Sequence, residues 1–295
     1  MRRLIAALTG VAAAVLIAPA TATTANAQAK AATPLDALTQ RLVKDHGIKV
    51  TSRYILGWKG KTELDWRESG SVQLGPAGIV ASDTTGRYAR YPDRKQAKEM
   101  AKPGRILALQ NATYASGPYY ESCLPEGKTW IRYTGEHALV PGPSTLVDIL
   151  DRRSYKALLA TTSVKRPGGK VDGTATTLYT GSIAYGTVYK LSPVLQKMPG
   201  WKPNSALAKV KVGWKLWLGK DLLARRLITT FELKAGRDFS SWKNVVDTKY
   251  SSWGAKVSLT APSAGEVVDE NDLGTDLPDS RDLTTMVPSM ASPER

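Results

Sequence analysis

Between Lys209 and Leu233 the chain reads KVKVGWKLWLGKDLLARRLITTFEL, and in its first half every second residue is large and apolar. Val210, Val212, Trp214, Leu216 and Leu218 fall on one side of an extended backbone, while Lys209, Lys211 and Lys215 fall on the other. That period of two is a strand signal, not a helix signal. Gly219–Asp221 supplies a turn, and the return strand sets Leu223, Leu227, Phe231 and Leu233 on one face, interrupted by Arg225 and Thr229. The segment therefore predicts a long hairpin that is covered on one side and wet on the other. The lysines sit where a solvated face requires them, and no polyanion is needed to explain them.

The rest of the chain repeats this theme. IKVTSRYILGW from Ile48, SVQLG, GIVASDT, RILALQN, ATYASG and TWIRY are short β-prone runs separated by turns containing Gly, Pro or Asp. Their close spacing predicts antiparallel neighbours. GTATTLYTGSIAY adds a further strand, and NVVDTKYSSWGAKVSLTAP two more. Helical patterns fall at about residues 34–46 and 144–160, with a short one near LSPVLQKM. In the first, Thr33 caps, Pro34 takes the opening position, Asp36 completes a capping box, and Leu35, Leu38, Leu42 and Val43 form the stripe. Gly47 ends it, and His46 stands in its last turn. Ser144 is the expected cap of the second.

Composition bounds the functional classes. The N-terminus carries Arg2 and Arg3, an apolar run from Leu4 to Ala20 and a small-residue site at Ala25–Ala27, which reads as a secretory signal peptide over residues 1–27. The expected location is therefore secreted, in the extracellular envelope space. The formal charge is +15, or +13 without the two leader arginines. Eight acids against two bases lie between residues 266 and 295, so the body from 28 to 265 is left at +19. The chain divides into the leader, one domain over 28–268 and an acidic tail over 269–295 that reads as disordered. Cys123 is the one cysteine, which excludes a disulfide framework and a cysteine metal cluster. No second apolar run reaches membrane length.

Enzyme motifs do not fit. GKT occurs at Gly60 and Gly127, but Ile55 and Ser122 stand where a phosphate loop needs its first glycine. With only His46 and His137, a histidine-rich metal site is excluded, and TGSIAYG lacks the spacing of a nucleophile elbow. DENDLG resembles a calcium loop, but Ser280 stands where the bidentate Glu belongs. Glu63 and Asp65 read as a solvated pair. No cofactor and no catalytic residue is expected. RYARYPDRKQAKEMAKPGR, Arg87 to Arg105, is the densest basic patch and reads as a short surface helix between strands. Arg87, Arg90, Arg94, Lys95 and Lys98 form its candidate anion-contacting rim. Export argues against a nucleic-acid partner.

LPEGKTWIRY, VDGTATTLYTGSIAY and TKYSSWGAKVSLTAPSAGEVVD together resemble the LolA-like envelope proteins, nearest the actinobacterial LprG/LppX-type lipoproteins. The resemblance rests on a G-K-x-W strand, a G…T-x-Y strand at Gly173, Thr177 and Tyr179, and a late pattern at Tyr250, Ser251, Gly254, Val257, Ala261 and Pro262. It spans about residues 35–268. It implies an α+β fold, a strongly curved antiparallel sheet or half-barrel with helices over its concave face, and a non-enzymatic lipid or amphiphile carrier. The lipidated N-terminal cysteine of the lipoprotein members is missing from ANAQA. On this reading Val212, Trp214, Leu216, Leu227 and Phe231 line a ligand cavity, faced by Leu38, Leu42, Leu146 and Leu150. The alternative is an interaction or sensor module that docks an anionic envelope partner through its basic face and has no cavity. A hydrolase built around His137 is the third and weakest reading.

Overall fold

The computed structural model describes residues 31–143, 145–198, 200–235 and 240–274. The expected signal peptide, Ser144 and the tail beyond residue 274 lie outside them. In chain order the elements are α1 (Pro34–Thr39), β1 (His46–Trp58), β2 (Lys61–Gly75), β3 (Gly78–Arg90), α2 (Ala97–Met100), β4 (Gly104–Ala108), β5 (Ala112–Ser116), α3 (Pro118–Glu121) and β6 (Trp130–Thr134). There follow α4 (Arg152–Ala160), β7 (Thr162–Val171), β8 (Thr174–Ala184), α5 (Tyr185–Leu191), α6 (Pro193–Lys197), β9 (Lys211–Gly219), β10 (Ala224–Ala235), β11 (Ser240–Lys256) and β12 (Val267–Asp269).

All twelve strands belong to one sheet, in the order β12-β6-β5-β4-β3-β2-β1-β11-β10-β9-β8-β7. It is mixed α+β and not closed into a barrel. Pairing is antiparallel throughout except at β12 and β6, which run parallel. Two hairpins close through two-residue turns with both residues at positive φ: Lys59 and Gly60 (48° and 78°) between β1 and β2, and Asp172 and Gly173 (45° and 80°) between β7 and β8. That geometry matches the twist of the flanking strands, and an Asp-Gly pair adopts it at little cost.

The alternation that opens the sequence becomes the centre of the core. In β9 and β10, Val212 stands opposite Phe231, Trp214 opposite Thr229 and Leu216 opposite Leu227, and all six are buried. Lys211 and Lys215 point the other way and are exposed. Burial of each of these large apolar side chains contributes about 1.5–3 kcal/mol. Leu38 of α1, Tyr155 and Leu158 of α4, Tyr185 and Val188 of α5 and Leu195 of α6 pack onto the same cluster. These helical residues share one buried cluster with side chains of β1, β2 and β8–β11. Smaller clusters lie elsewhere on the sheet: α2 brings Met100 to Leu56, Leu64 and Tyr88, and α3 brings Tyr120 to Ala115, Ile131, Tyr133 and Val268.

The outer face is held by cross-strand ion pairs. Arg53 binds Asp65 through two bonds of 2.9 and 2.7 Å, Arg226 binds Asp247 at 2.8 and 2.6 Å, and Arg105 binds Asp83 at 2.9 and 2.7 Å. Arg67 also reaches Asp65 at 3.1 Å. Asp65 is thus only 5% exposed between two guanidiniums, not half of a solvated carboxylate pair with Glu63. Its burial works to raise the carboxyl's pKa, but the bonds from Arg53 and Arg67 outweigh burial and hold it below the usual range.

Several local expectations are corrected. The first helix stops at Thr39, not 46. Leu42 is carried into the core by the turns that follow, Val43 is 45% exposed, and His46 opens β1 with Nδ1 on the Lys44 carbonyl. The capping box itself forms: Thr33 Oγ1 accepts from the Asp36 N–H, and the Asp36 carboxylate accepts from the Thr33 N–H. The second helix begins only at Arg152, because Asp151 caps it by accepting the Ser154 N–H. Residues 145–150 instead form bends, with Asp148 accepting the Leu150 N–H at 2.8 Å. The segment expected to give two late strands gives one, β11. β7 was not expected at all, because Pro167 and Gly168–Gly169 break its pattern. It is the sheet's edge, where a missing proline N–H is tolerated. Arg87–Arg90 finishes β3, so only Ala97–Met100 of the basic patch is helical.

Thr229, the residue that interrupted the apolar face, is 2% exposed, and its Oγ1 has no hydrogen-bond partner among the described residues. Thr229→Val keeps the shape and removes an unsatisfied hydroxyl. It should stabilise the fold by about 1 kcal/mol in denaturant titrations; a loss of stability would show that the hydroxyl is satisfied.

Candidate functional site

The helices leave part of the inner face uncovered. One register row reads Gly104 (β4), Gly86 (β3), Glu68 (β2), Ser52 (β1) and Thr248 (β11), so five adjacent strands present two glycines, two small hydroxyls and one acid. Gly86 is required there, since a Cβ would sit inside the Trp66 ring, which lies across it. Such a row makes a trough in an otherwise bulky face.

A cavity of about 110 Å³ lies over this trough. Its floor is Tyr54, Trp66, Glu68, Ser82, Thr84, Gly86, Gly104, Ile106, Ala108, Asn244 and Val246, from β1–β4 and β11. Its roof is Leu139, Val140, Gly142, Pro143, Thr145 and Leu146, with Val194, Leu195, Met198 and Trp201 of α6 and the loop after it. Hydroxyls tie the roof down. The Gly142 N–H donates to Ser82 Oγ at 2.9 Å, the Leu139 N–H donates to Thr113 Oγ1 at 2.8 Å, and Tyr185 Oη donates to the Trp201 carbonyl at 2.9 Å.

The lining is two-sided in chemistry. The roof is almost wholly apolar. The floor carries the Glu68 carboxylate, 6% exposed, which accepts from Trp66 Nε1 at 3.4 Å. Asn244, 5% exposed, donates from Nδ2 to Tyr54 Oη at 2.6 Å, and its Oδ1 accepts nothing from the described residues. Burial drives the Tyr54 pKa far above its usual value, and the Asn244 bond offsets this only in part, so the phenol stays neutral. At roughly 10–15 Å³ per water position the cavity holds on the order of seven to eleven. This suits a small polar head with a short apolar body, or one end of a longer chain.

Of the nine residues expected to line a cavity, Leu146 does so. Val212, Trp214, Leu216, Leu227, Phe231, Leu38, Leu42 and Leu150 lie in the packed cluster beside it. Trp66, Glu68, Ser82, Thr84, Asn244 and Trp201 were not singled out from sequence. The available signal was W-x-E-x-G in β2: a glutamate at an inward position of a strand whose other inward residues include Leu64, Val72 and Leu74. Arg87, Arg90, Arg94, Lys95 and Lys98 are all exposed: the first two in the last residues of β3, the next two in the loop after it, and Lys98 in α2. His137 is not part of the cavity; its Nδ1 meets Glu270 Oε2. Asp269 and Glu270, assigned by sequence to the tail, pair with Arg132 and His137. Among the described residues no cluster of His, Cys, Asp and Glu has metal-holding geometry, and no helix is long and apolar enough to cross a membrane.

No protein-family model matches the chain, and no curated protein matches it. Solved structures similar to it include a DUF1329 family protein from Desulfovibrio piger, at 10% identity over 77% of this chain and 93% of that one, with a TM-score of 0.26. A LolA superfamily protein from Nitrosomonas europaea matches at 10% identity over 78% and 95%, with a TM-score of 0.26. A porin-like protein from Bacteroides uniformis matches at 6% identity over 69% and 97%, again at 0.26. Scores this low leave the fold to rest on the strand order itself.

Asp148, just beyond the roof residues, offers a pH-dependent check. Burial, aided by the Asp151 charge, pushes its carboxyl up to about 6 against the opposing Leu150 and Asp151 N–H bonds. Unfolded, it would titrate near 4. A carboxyl raised on folding favours the fold below the unfolded value and costs stability as pH rises through about 4 to 6. Asp148→Asn should therefore raise the melting temperature at neutral pH, with the gain disappearing by about pH 4. A gain that is independent of pH would remove this assignment.

Proposed function

We propose that this chain is a secreted, non-enzymatic protein that holds a lipid or other amphiphile between its sheet and the covering segments. The observation that carries the reading is the cavity of about 110 Å³ with an apolar roof and a polar floor. Such a surface matches a molecule with an apolar body and a hydrogen-bonding head, and needs no reactive group to bind it. Each CH₂ withdrawn from water adds about 0.8 kcal/mol before ordering costs. The leader, and the kinship to LprG/LppX-type proteins read from the late motifs, belong to this proposal, as does a soluble envelope location. The ligand sits at Leu146 and the β2–β4 trough; the β9–β10 residues form the packed wall beside it.

Native mass spectrometry of gently isolated protein should show a co-purified amphiphile. Thr84→Phe, which fills the trough, should remove the adduct and weaken uptake of an uncharged naphthylamine dye by at least about tenfold while the fold persists. A clean apo mass from the native protein, with dye uptake unaltered in the variant, would sink the reading.

One observation favours a second reading. Arg87, Arg67 and Arg53 stand directly opposite one another across β3, β2 and β1 on the outer face. Like charges in register work against pairing, and Asp65 is the carboxylate that bridges two of them. With Arg90, Arg94, Lys95 and Lys98 nearby, this surface fits an anionic envelope partner. Sedimentation with anionic vesicles should then be strong at low salt, lost at high salt, and weakened by Arg67→Ser and Arg87→Ser together. Binding that ignores both changes would eliminate it.

A further inference from the structure

Independently of the cavity, we infer that the β1–β2 hairpin end of the sheet docks on an anionic lipid bilayer, with Trp58 and Trp242 at headgroup depth and lysines around them. Strand pairing brings these residues together. Trp58, the last residue of β1, stands opposite Trp242 of β11 on one side and Lys61 of β2 on the other, and Leu233 of β10 continues the row beyond Trp242. The two indoles pack on each other with 4.6 Å between ring centroids, and Lys59 Nζ lies 5.6 Å from the centre of the Trp58 ring. Trp242 also packs against the cluster of Leu56, Leu64, Tyr88 and Met100, which anchors the pair to the core. Both indoles are only partly buried, and neither ring N–H has a hydrogen-bond partner among the described residues. Neither residue lines the cavity.

The charge at this end matches such a surface. β1, β3 and β10 end here, and β2 and β11 begin here. Lys59, Lys61 and Lys243 are exposed around the indoles, and Arg90, Arg94, Lys95 and Lys98 are exposed on the adjoining β3–α2 segment. The acids beside them are fewer: Glu63, Asp93 and Glu232, with Glu99 paired to Lys102 at 2.9 Å. Each basic group held close to an anionic leaflet strengthens binding, and the effect falls off within a Debye length. An indole joins an apolar body to a polar N–H, so tryptophan collects at the depth where hydrocarbon gives way to headgroups. A polyanion without an apolar layer would engage the lysines and leave the indoles idle. A bilayer engages both, and that selects it as the partner.

The test uses vesicles of phosphatidylcholine alone and of phosphatidylcholine mixed with phosphatidylglycerol, the latter also with acyl chains brominated near the headgroup. Sedimentation reads binding, and quenching of tryptophan emission by bromine reads depth. The unmodified protein should pellet with the mixed vesicles at low salt, stay in solution with phosphatidylcholine alone, and lose emission to the brominated lipid. Trp58→Ser with Trp242→Ser should weaken binding by at least about tenfold and abolish the quenching. Lys61→Ser with Lys243→Ser should weaken binding at low salt by at least about tenfold, and this second pair keeps the test decisive if the tryptophan variant does not fold. No binding to the mixed vesicles, equal binding to both lipids, or binding without quenching overturns the inference. Binding that only Arg67→Ser with Arg87→Ser lowers belongs to the outer face and overturns it too. Thr84→Phe should bind vesicles as the native chain does, and neither surface pair should alter dye uptake, so the cavity reading stands or falls separately.

Discussion

A sheet with one apolar face must be covered, and here the covering elements are shorter than the sheet. Twelve strands lie side by side, and α1, α4, α5 and α6 share the largest cluster with side chains of β1, β2 and β8–β11. There the fit is tight: Val212, Leu216, Leu218 and Phe231 are out of reach of solvent, and their removal from water is a principal source of stability. Over the β2–β4 cavity much of the cover is a loop, with Val194 and Leu195 of α6 beside it. A loop carries backbone polar groups that need partners, and the sheet supplies them from Ser82 and Thr113. Those hydroxyls tie the roof to the sheet beside a row in which Gly86 and Gly104 bring no side chain and the Trp66 ring lies across Gly86. The cavity is the space left between the two.

The outer face solves a different problem. It is wet and strongly basic, and close-set like charges would push the strands apart. Paired carboxylates counter this by bridging neighbouring strands: Asp65 between β1 and β2, Asp247 between β10 and β11, Asp83 between β3 and β4. Arg226 also lies over the Trp217 ring, 5.2 Å from its centroid, so its charge is placed above an aromatic face as well as against an acid. The arginine row across β1–β3 carries fewer acids than bases, which is why that part of the surface stands out from the rest.

Much of this architecture was legible in the chain. Alternation at Val212–Leu218 and Leu227–Phe231 specified both the strands and their buried face, and the Thr33–Asp36 box specified where the first helix begins. Helix ends were less legible. The stripe from Leu35 to Leu42 continues past the helix because a turn can bury Leu42 as well as a helix can. Asp151 outcompeted the upstream helical pattern by capping at its own position. β7 was hidden because a proline and two glycines erase periodicity, though an edge strand tolerates all three. The candidate site was the least legible part. It is made by what is missing at Gly86 and Gly104, and by an acid that faces inward at Glu68. No single segment displays that combination. It exists only once β2, β3 and β4 are aligned in register.

An open sheet also has two raw margins, where unpaired N–H and C=O groups could recruit another chain. At one margin, β12 is three residues long and runs parallel to its neighbour. At the other, β7 carries Lys165, Arg166 and Lys170, irregular register on both sides of its middle, and Pro167 in place of a donor. Shortness at one end and charge, bulge and proline at the other discourage sheet-to-sheet zippering. In a chain so rich in strands, these blunted margins keep each copy pairing with itself while it folds.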